Sequence, residues 1–140
     1  MQSADIVRNF YADYLKRDID AVVALVADNV DFDWKVGADH NREFAGLVSG
    51  KQAFHDRLKA LDAEFDYVDI DIVDIVASEN RAAVQLRLTM RHRKSQREFV
   101  MPTAGFWTFR DGKVVDYAEY YDTALAQSIL AGAAAEAASR

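Results

Sequence analysis

A chain of 140 residues with 51% hydrophobic content has room for one folded domain with a sizeable core, not for two. Its formal net charge of −6 lacks the basic footprint of a general nucleic-acid binder. The absence of cysteine excludes disulfides, thiolate metal sites and cysteine nucleophiles, and fits a reducing compartment.

The first ten residues, MQSADIVRNF, show neither the basic start nor the apolar run of a signal peptide. No apolar run is long enough to span a bilayer. The expectation is a soluble, cytoplasmic protein without a membrane partner. Residues 4–17 repeat apolar positions at helical spacing, with Ile6, Val7, Phe10, Tyr11, Tyr14 and Leu15 on one broad face and Ser3 as N-cap. Asp18-Ile19-Asp20 breaks that pattern, and Asp20 is expected to cap a short second helix over 21–27. Val30, Phe32 and Trp34 alternate as a short strand. The segment 35–49 has poor periodicity and reads as a connection. Gly50 opens a third helix over 51–64, with Ala53, Phe54, Leu58 and Leu61 on its apolar face.

From Phe65 the period changes to two. Strands are expected over 65–77, with a bulge near Val73, and then over 81–93, 97–109 and 113–121. Ser78-Glu79-Asn80 makes a turn, and the basic run Arg91–Arg97 reads as a hairpin tip. Asp111-Gly112 between two strand-like runs marks a tight hairpin, because both central residues of a type I′ turn need positive φ. Alternation then places Val115, Tyr117, Glu119 and Tyr121 on one face. Residues 123–138 are alanine-rich and helical, capped by Asp122. Helices followed by a β-meander imply an α+β fold with helices on one face of an antiparallel sheet.

Phe10-Tyr11, Asp18-Ile19-Asp20 and the run from Leu25 to Val30 open the chain in an order that resembles a known family. Gly50-Lys51-Gln52-Ala53 and the closing hairpin, from Phe109 to Val114 and from Glu119 to Asp122, continue the match. Over residues 4–125 the chain resembles the SnoaL-like branch of the NTF2-like superfamily, which includes ketosteroid isomerases and polyketide cyclases. The resemblance implies one domain built as a cone. A strongly curved antiparallel sheet would wrap around three N-terminal helices and enclose a cavity. It also implies a homodimer through the outer face of the sheet. Isomerases of this branch use a tyrosine on the first helix and aspartates on the first and penultimate strands; those positions here hold Phe10, Trp34 and Gly105. The epoxide hydrolases use an Arg/Asp pair, which falls on Leu86 and Leu88, and an acid on the last strand, which falls on Glu119.

The expected cavity wall is Phe10, Tyr14, Phe32, Trp34, Phe54, Leu58, Val84, Leu86, Leu88, Met90, Met101, Thr103, Trp107, Tyr117, Glu119 and Tyr121, an aromatic and apolar lining suited to a small molecule. Side chains filling the same space would read identically. A carboxylate among aromatic rings is desolvated and suited to proton transfer, which makes Glu119 the candidate acid/base. Tyr14 and Tyr121, with Tyr117, are the candidate donors to a substrate oxygen. A structural glutamate held by an arginine or a phenol fits the same pattern. His40, in the loop after the first strand, is a candidate for the cavity mouth. His55 and His92 read as surface or partly buried residues, and the three histidines share no ligand spacing, so neither a metal nor another cofactor is expected. The function expected is isomerase-, cyclase- or dehydratase-like chemistry on a small apolar carbonyl compound. The alternative is a non-catalytic ligand carrier or accessory dimer.

Overall fold

The computed structural model describes residues 2–35 and 44–138. The elements run α1 (Ser3–Leu15), α2 (Ile19–Ala24), β1 (Val26–Trp34), β2 (Gly46–Ser49), α3 (Lys51–Glu64), β3 (Phe65–Ala77), β4 (Arg81–His92), β5 (Glu98–Arg110), β6 (Lys113–Tyr121) and α4 (Thr123–Ala138). The period-two half of the chain forms the expected four long strands. One strand was unforeseen: β2 lies in the stretch read as a connection and pairs antiparallel with β1. The sheet is open, in the order β2-β1-β6-β5-β4-β3. It is mixed, because β1 runs parallel to β6 and sets Phe32 beside Tyr117 and Trp34 beside Glu119.

The apolar stripe of α1 buries Ile6, Val7, Phe10 and Tyr11, and that of α3 buries Phe54, Leu58 and Leu61. α1 packs against β3 and β4, while α3 packs against β1, β2 and β3. Two caps differ from expectation. Ser3 sits inside the first turn of α1, where its buried hydroxyl donates to the Glu79 carbonyl at 2.7 Å and ties the helix to the β3–β4 turn. Asp18, not Asp20, caps α2, its carboxylate accepting from the Ala21 N–H at 3.1 Å. Asp122 does cap α4, accepting from the Leu125 N–H at 3.0 Å.

Bulges decide which residues face inward, because one extra residue flips the pleat. In β3 the register slips at Val68 as well as at Val73. Both slips keep Tyr67, Ile70, Ile72 and Ile75 against the core while Asp69, Asp71 and Asp74 stay in solvent. A third bulge, at Val115 in β6, was not foreseen. It turns Val114 inward together with Tyr117, so Val115 does not continue the inner row as strict alternation required. The turn itself is as read, with Asp111 at φ 52° and Gly112 at φ 73°. β6 ends opposite Thr103, so Pro102 has a ladder partner only on β4.

The basic hairpin tip has an internal purpose. Arg17, Arg91 and Arg93 all pair with the Asp66 carboxylate and hold it below the usual carboxylate range, Arg91 foremost. His92, expected near the surface, is 1% exposed. Its Nε2 lies 2.6 Å from the Glu64 carboxylate and its Nδ1 lies 2.8 Å from the Ser95 hydroxyl, locking the tip to the end of α3. Among the described residues no cluster of His, Asp and Glu is arranged to hold a metal, and no helix is long and apolar enough to cross a membrane.

Candidate functional site

The parallel β1–β6 pairing and the helices α1 and α3 enclose two small cavity lobes that share Trp34, Leu61, Tyr67, Leu88 and Glu119 as common wall. The inner lobe, about 40 Å3, is bounded by Phe10, Tyr11 and Tyr14 of α1, Leu58 of α3, and Phe32, Ile70 and Tyr117 of the sheet. The outer lobe, about 60 Å3, is bounded by Phe44, Phe65, Met90, Phe99, Met101 and Tyr121, and is roofed by Ala126, Ile129 and Leu130 of α4. A water needs roughly 10–15 Å3 of such space, so each lobe has room for about three to five waters.

Glu119 stands at the junction. Its exposure is intermediate, and it lines both lobes. The Tyr117 hydroxyl donates to its Oε1 at 2.8 Å, and the Trp34 indole N–H donates a second hydrogen bond. Burial pushes the carboxyl up to about 7, against the opposing pull of those two donors. The Tyr11 hydroxyl lies 3.3 Å from that of Tyr117, extending the chain of polar groups to α1. Across the inner lobe, the Tyr14 and Tyr67 rings meet edge to face at 4.8 Å, near enough for the two phenols to act on each other electrostatically. Desolvation raises the pKa of Tyr11, Tyr14, Tyr67 and Tyr117, so all four phenols stay protonated at neutral pH.

Gly105 is what allows this arrangement. A Cβ built there would lie 2.6 Å from the Tyr117 hydroxyl, so only a bare backbone leaves room for the ring that reaches Glu119. Gly105 pairs directly with Glu119 across the β5–β6 ladder.

Of the residues expected to line a cavity, Phe10, Tyr14, Phe32, Trp34, Leu58, Leu88, Met101, Tyr117, Glu119 and Tyr121 line one or both lobes, and so does Met90. Phe54, Val84, Leu86, Thr103 and Trp107 are buried but border neither lobe. Rings fill the space they were expected to enclose: Phe32 lies 4.1 Å and Trp107 4.3 Å from Tyr117, and Phe10 lies 4.9 Å from Trp107, centroid to centroid. His40 lies outside the described residues. Tyr11 and Tyr67 were missed as site residues. The signal for Tyr11 was present, since it shares the apolar face of α1; Tyr67 is turned inward only by the register of β3.

The sequence profile of the SnoaL-like domain family matches residues 7–117. No curated protein matches the chain. Among solved structures, the chain is similar to a presumed isomerase from Rhodopseudomonas palustris, with a TM-score of 0.76 and 17% identity over 88% of this chain and 92% of that one. A presumed polyketide cyclase from Xanthomonas campestris gives a TM-score of 0.75 at 20% identity, over 89% of this chain and 93% of the other. An epoxide hydrolase of the LEH-like type from M. tuberculosis gives 0.69 at 14% identity, over 84% and 80%. At these identities the similarity to the three structures concerns the fold.

Proposed function

The chain belongs to the SnoaL-like domain family, and within it we propose acid–base chemistry on a small, largely apolar carbonyl compound. One observation carries this reading: a carboxyl pushed up to about 7 by burial stands on the wall that the two lobes share. At neutral pH such a group is present in both forms, so one residue can remove a proton and return it. The carbonyl end of the substrate occupies the inner lobe among the phenols of Tyr11, Tyr14 and Tyr67. Tyr117 donates its hydrogen bond to Glu119 and Tyr11 donates its own to Tyr117, so Tyr14 and Tyr67 are the phenols left to donate to the ligand. Glu119 takes a proton from the carbon next to the carbonyl. The C–H electron pair moves into a C=C bond, and the carbonyl oxygen becomes an enolate held by a phenol. Return of the proton at a second carbon completes an isomerisation, and attack of the enolate carbon on another carbonyl completes a cyclisation.

The test is exchange of α-protons for deuterium in D2O, followed by NMR over a panel of cyclic and aryl ketones. The exchange rate is expected to rise through about pH 7, as Glu119 ionises. Tyr117→Phe removes a donor to the ionised carboxylate, so its midpoint is expected about one unit higher. A pH-independent rate, or a midpoint that ignores Tyr117, removes Glu119 from the role. Ketones that bind without any exchange instead point to a carrier. The tyrosine and two aspartates of the isomerases and the Arg/Asp pair of the epoxide hydrolases being replaced by Phe10, Trp34, Gly105, Leu86 and Leu88 favours that second reading.

We also infer a cytoplasmic homodimer. The outer face of the sheet leaves Val73 on β3, Val100 and Phe106 on β5 and Tyr120 on β6 exposed, with Phe106 and Tyr120 packed edge to face at 6.0 Å. A second copy would cover this face. Sedimentation at micromolar concentration is expected to give a dimer and Phe106→Asp a monomer; a monomeric parent protein rejects the interface.

A further inference from the structure

We propose that Arg57 holds a carboxylate of the ligand at the rim of the outer lobe, so that the cavity takes a small acid with its apolar body inside. This rests on the reading of the two lobes as a ligand site.

Arg57 lies on α3 beside Leu58 and one turn before Leu61, both of which line the cavity. Its guanidinium sits over the Trp34 ring, 5.0 Å from the centroid, and Trp34 is common wall to both lobes. Nη2 reaches the Ala45 carbonyl only at 3.5 Å, and the preceding residue, Phe44, lines the outer lobe. Tyr121, another outer-lobe residue, is near enough to act electrostatically on the guanidinium. Trp34, Tyr121 and the residue after Phe44 thus set this cation beside the outer-lobe wall, although Arg57 itself borders neither lobe.

Nη1 of Arg57 is buried, and among the described residues it has no hydrogen-bond partner and no carboxylate within ion-pair distance. Arg17, Arg91 and Arg93 show the contrast, since each finds Asp66. A buried guanidinium N–H without an acceptor is costly, and burial lowers the pKa of Arg57 without being able to discharge it. A ligand carboxylate offers two oxygens in the planar geometry that this fork matches. Stacking on Trp34 already orders the side chain, so little freedom is lost on binding.

Isothermal titration at pH 6 with benzoate and phenylacetate, each against its neutral amide, tests the proposal. The full-length parent protein is expected to bind each acid at least about tenfold more tightly than the matching amide. Arg57→Met is expected to bring that ratio to about one, and Arg57→Lys to keep part of it. Circular dichroism establishes that each variant is folded; should Arg57→Met not fold, the drop in ratio is read from Arg57→Lys. Amides that bind as well as acids in the parent, or a preference that survives in the Arg57 variants, overturn the proposal and leave the cavity reading standing. If neither member of either pair binds, both fall together.

Discussion

Glu119→Gln is expected to be more stable than the parent protein at pH 8, by up to about 3 kcal/mol, and equally stable at pH 4. The sign follows from the carboxyl's two environments. In the unfolded chain it titrates near its ordinary 4.5, and in the folded protein burial pushes it up to about 7. Between those values the folded protein keeps a proton that the unfolded chain has lost. Stability associated with that proton is fully present below about 4.5 and is lost as pH rises through about 7. Glutamine has no proton to lose, and its amide oxygen still accepts from Tyr117 and Trp34. A shift of about two and a half units corresponds to about 3 kcal/mol, or very roughly 10 °C in Tm for a chain of this length. The same variant is expected to lose α-proton exchange by roughly 10²–10⁴-fold, the usual worth of a positioned general base. Thermal melts of both proteins from pH 4 to 8, beside the exchange assay, check the two halves. Parallel stability curves would mean that Glu119 is not perturbed. Divergent curves with unchanged exchange would mean a perturbed but chemically idle carboxylate.

Glu119, chosen from strand alternation and from the last-strand acid position of the resemblance, lies on the wall that the two lobes share. Local signals were legible: Gly50 at the entry to α3, the period change at Phe65, the slip at Val73, and the Asp111-Gly112 turn. Each depends on residues that are neighbours in the chain. The parts that escaped depend on distant partners. β2 is four residues long, and only its pairing with β1 makes it a strand. The parallel pairing that sets Trp34 beside Glu119 joins positions at opposite ends of the chain. His92 sits in a run of cations that reads as solvated, and its burial requires Glu64, 28 residues earlier. The roof of α4 over the outer lobe comes from an alanine-rich segment whose own pattern marks no apolar face. Gly105 is the most instructive case. The resemblance marks it as a position where an acid is missing, whereas the structure shows that the missing side chain makes room for Tyr117.

Phe32→Ala tests whether those lobes are dry and how firmly rings fill the remainder. Phe32 is 2% exposed, with ring centroids of Tyr117, Phe54 and Trp34 at 4.1, 4.5 and 4.7 Å. Truncating a phenylalanine so enclosed is expected to cost about 3–5 kcal/mol, lowering Tm by roughly 10–15 °C. The space vacated is continuous with the inner lobe, which Phe32 lines. If that space is dry, benzene should bind and return about 1.4 kcal/mol at ten times its Kd. Glu119 would then remain desolvated, and combining Phe32→Ala with Glu119→Gln should still stabilise at pH 8 relative to Phe32→Ala alone. If water enters instead, benzene gains little and Glu119 is rehydrated, so its carboxyl returns toward the ordinary range. The stabilisation by Glu119→Gln at pH 8 should then disappear from the Phe32→Ala background. The pair of substitutions thus measures, through one titration, whether the aromatic wall keeps water from the carboxylate, which is the property on which its use as an acid and base at neutral pH depends.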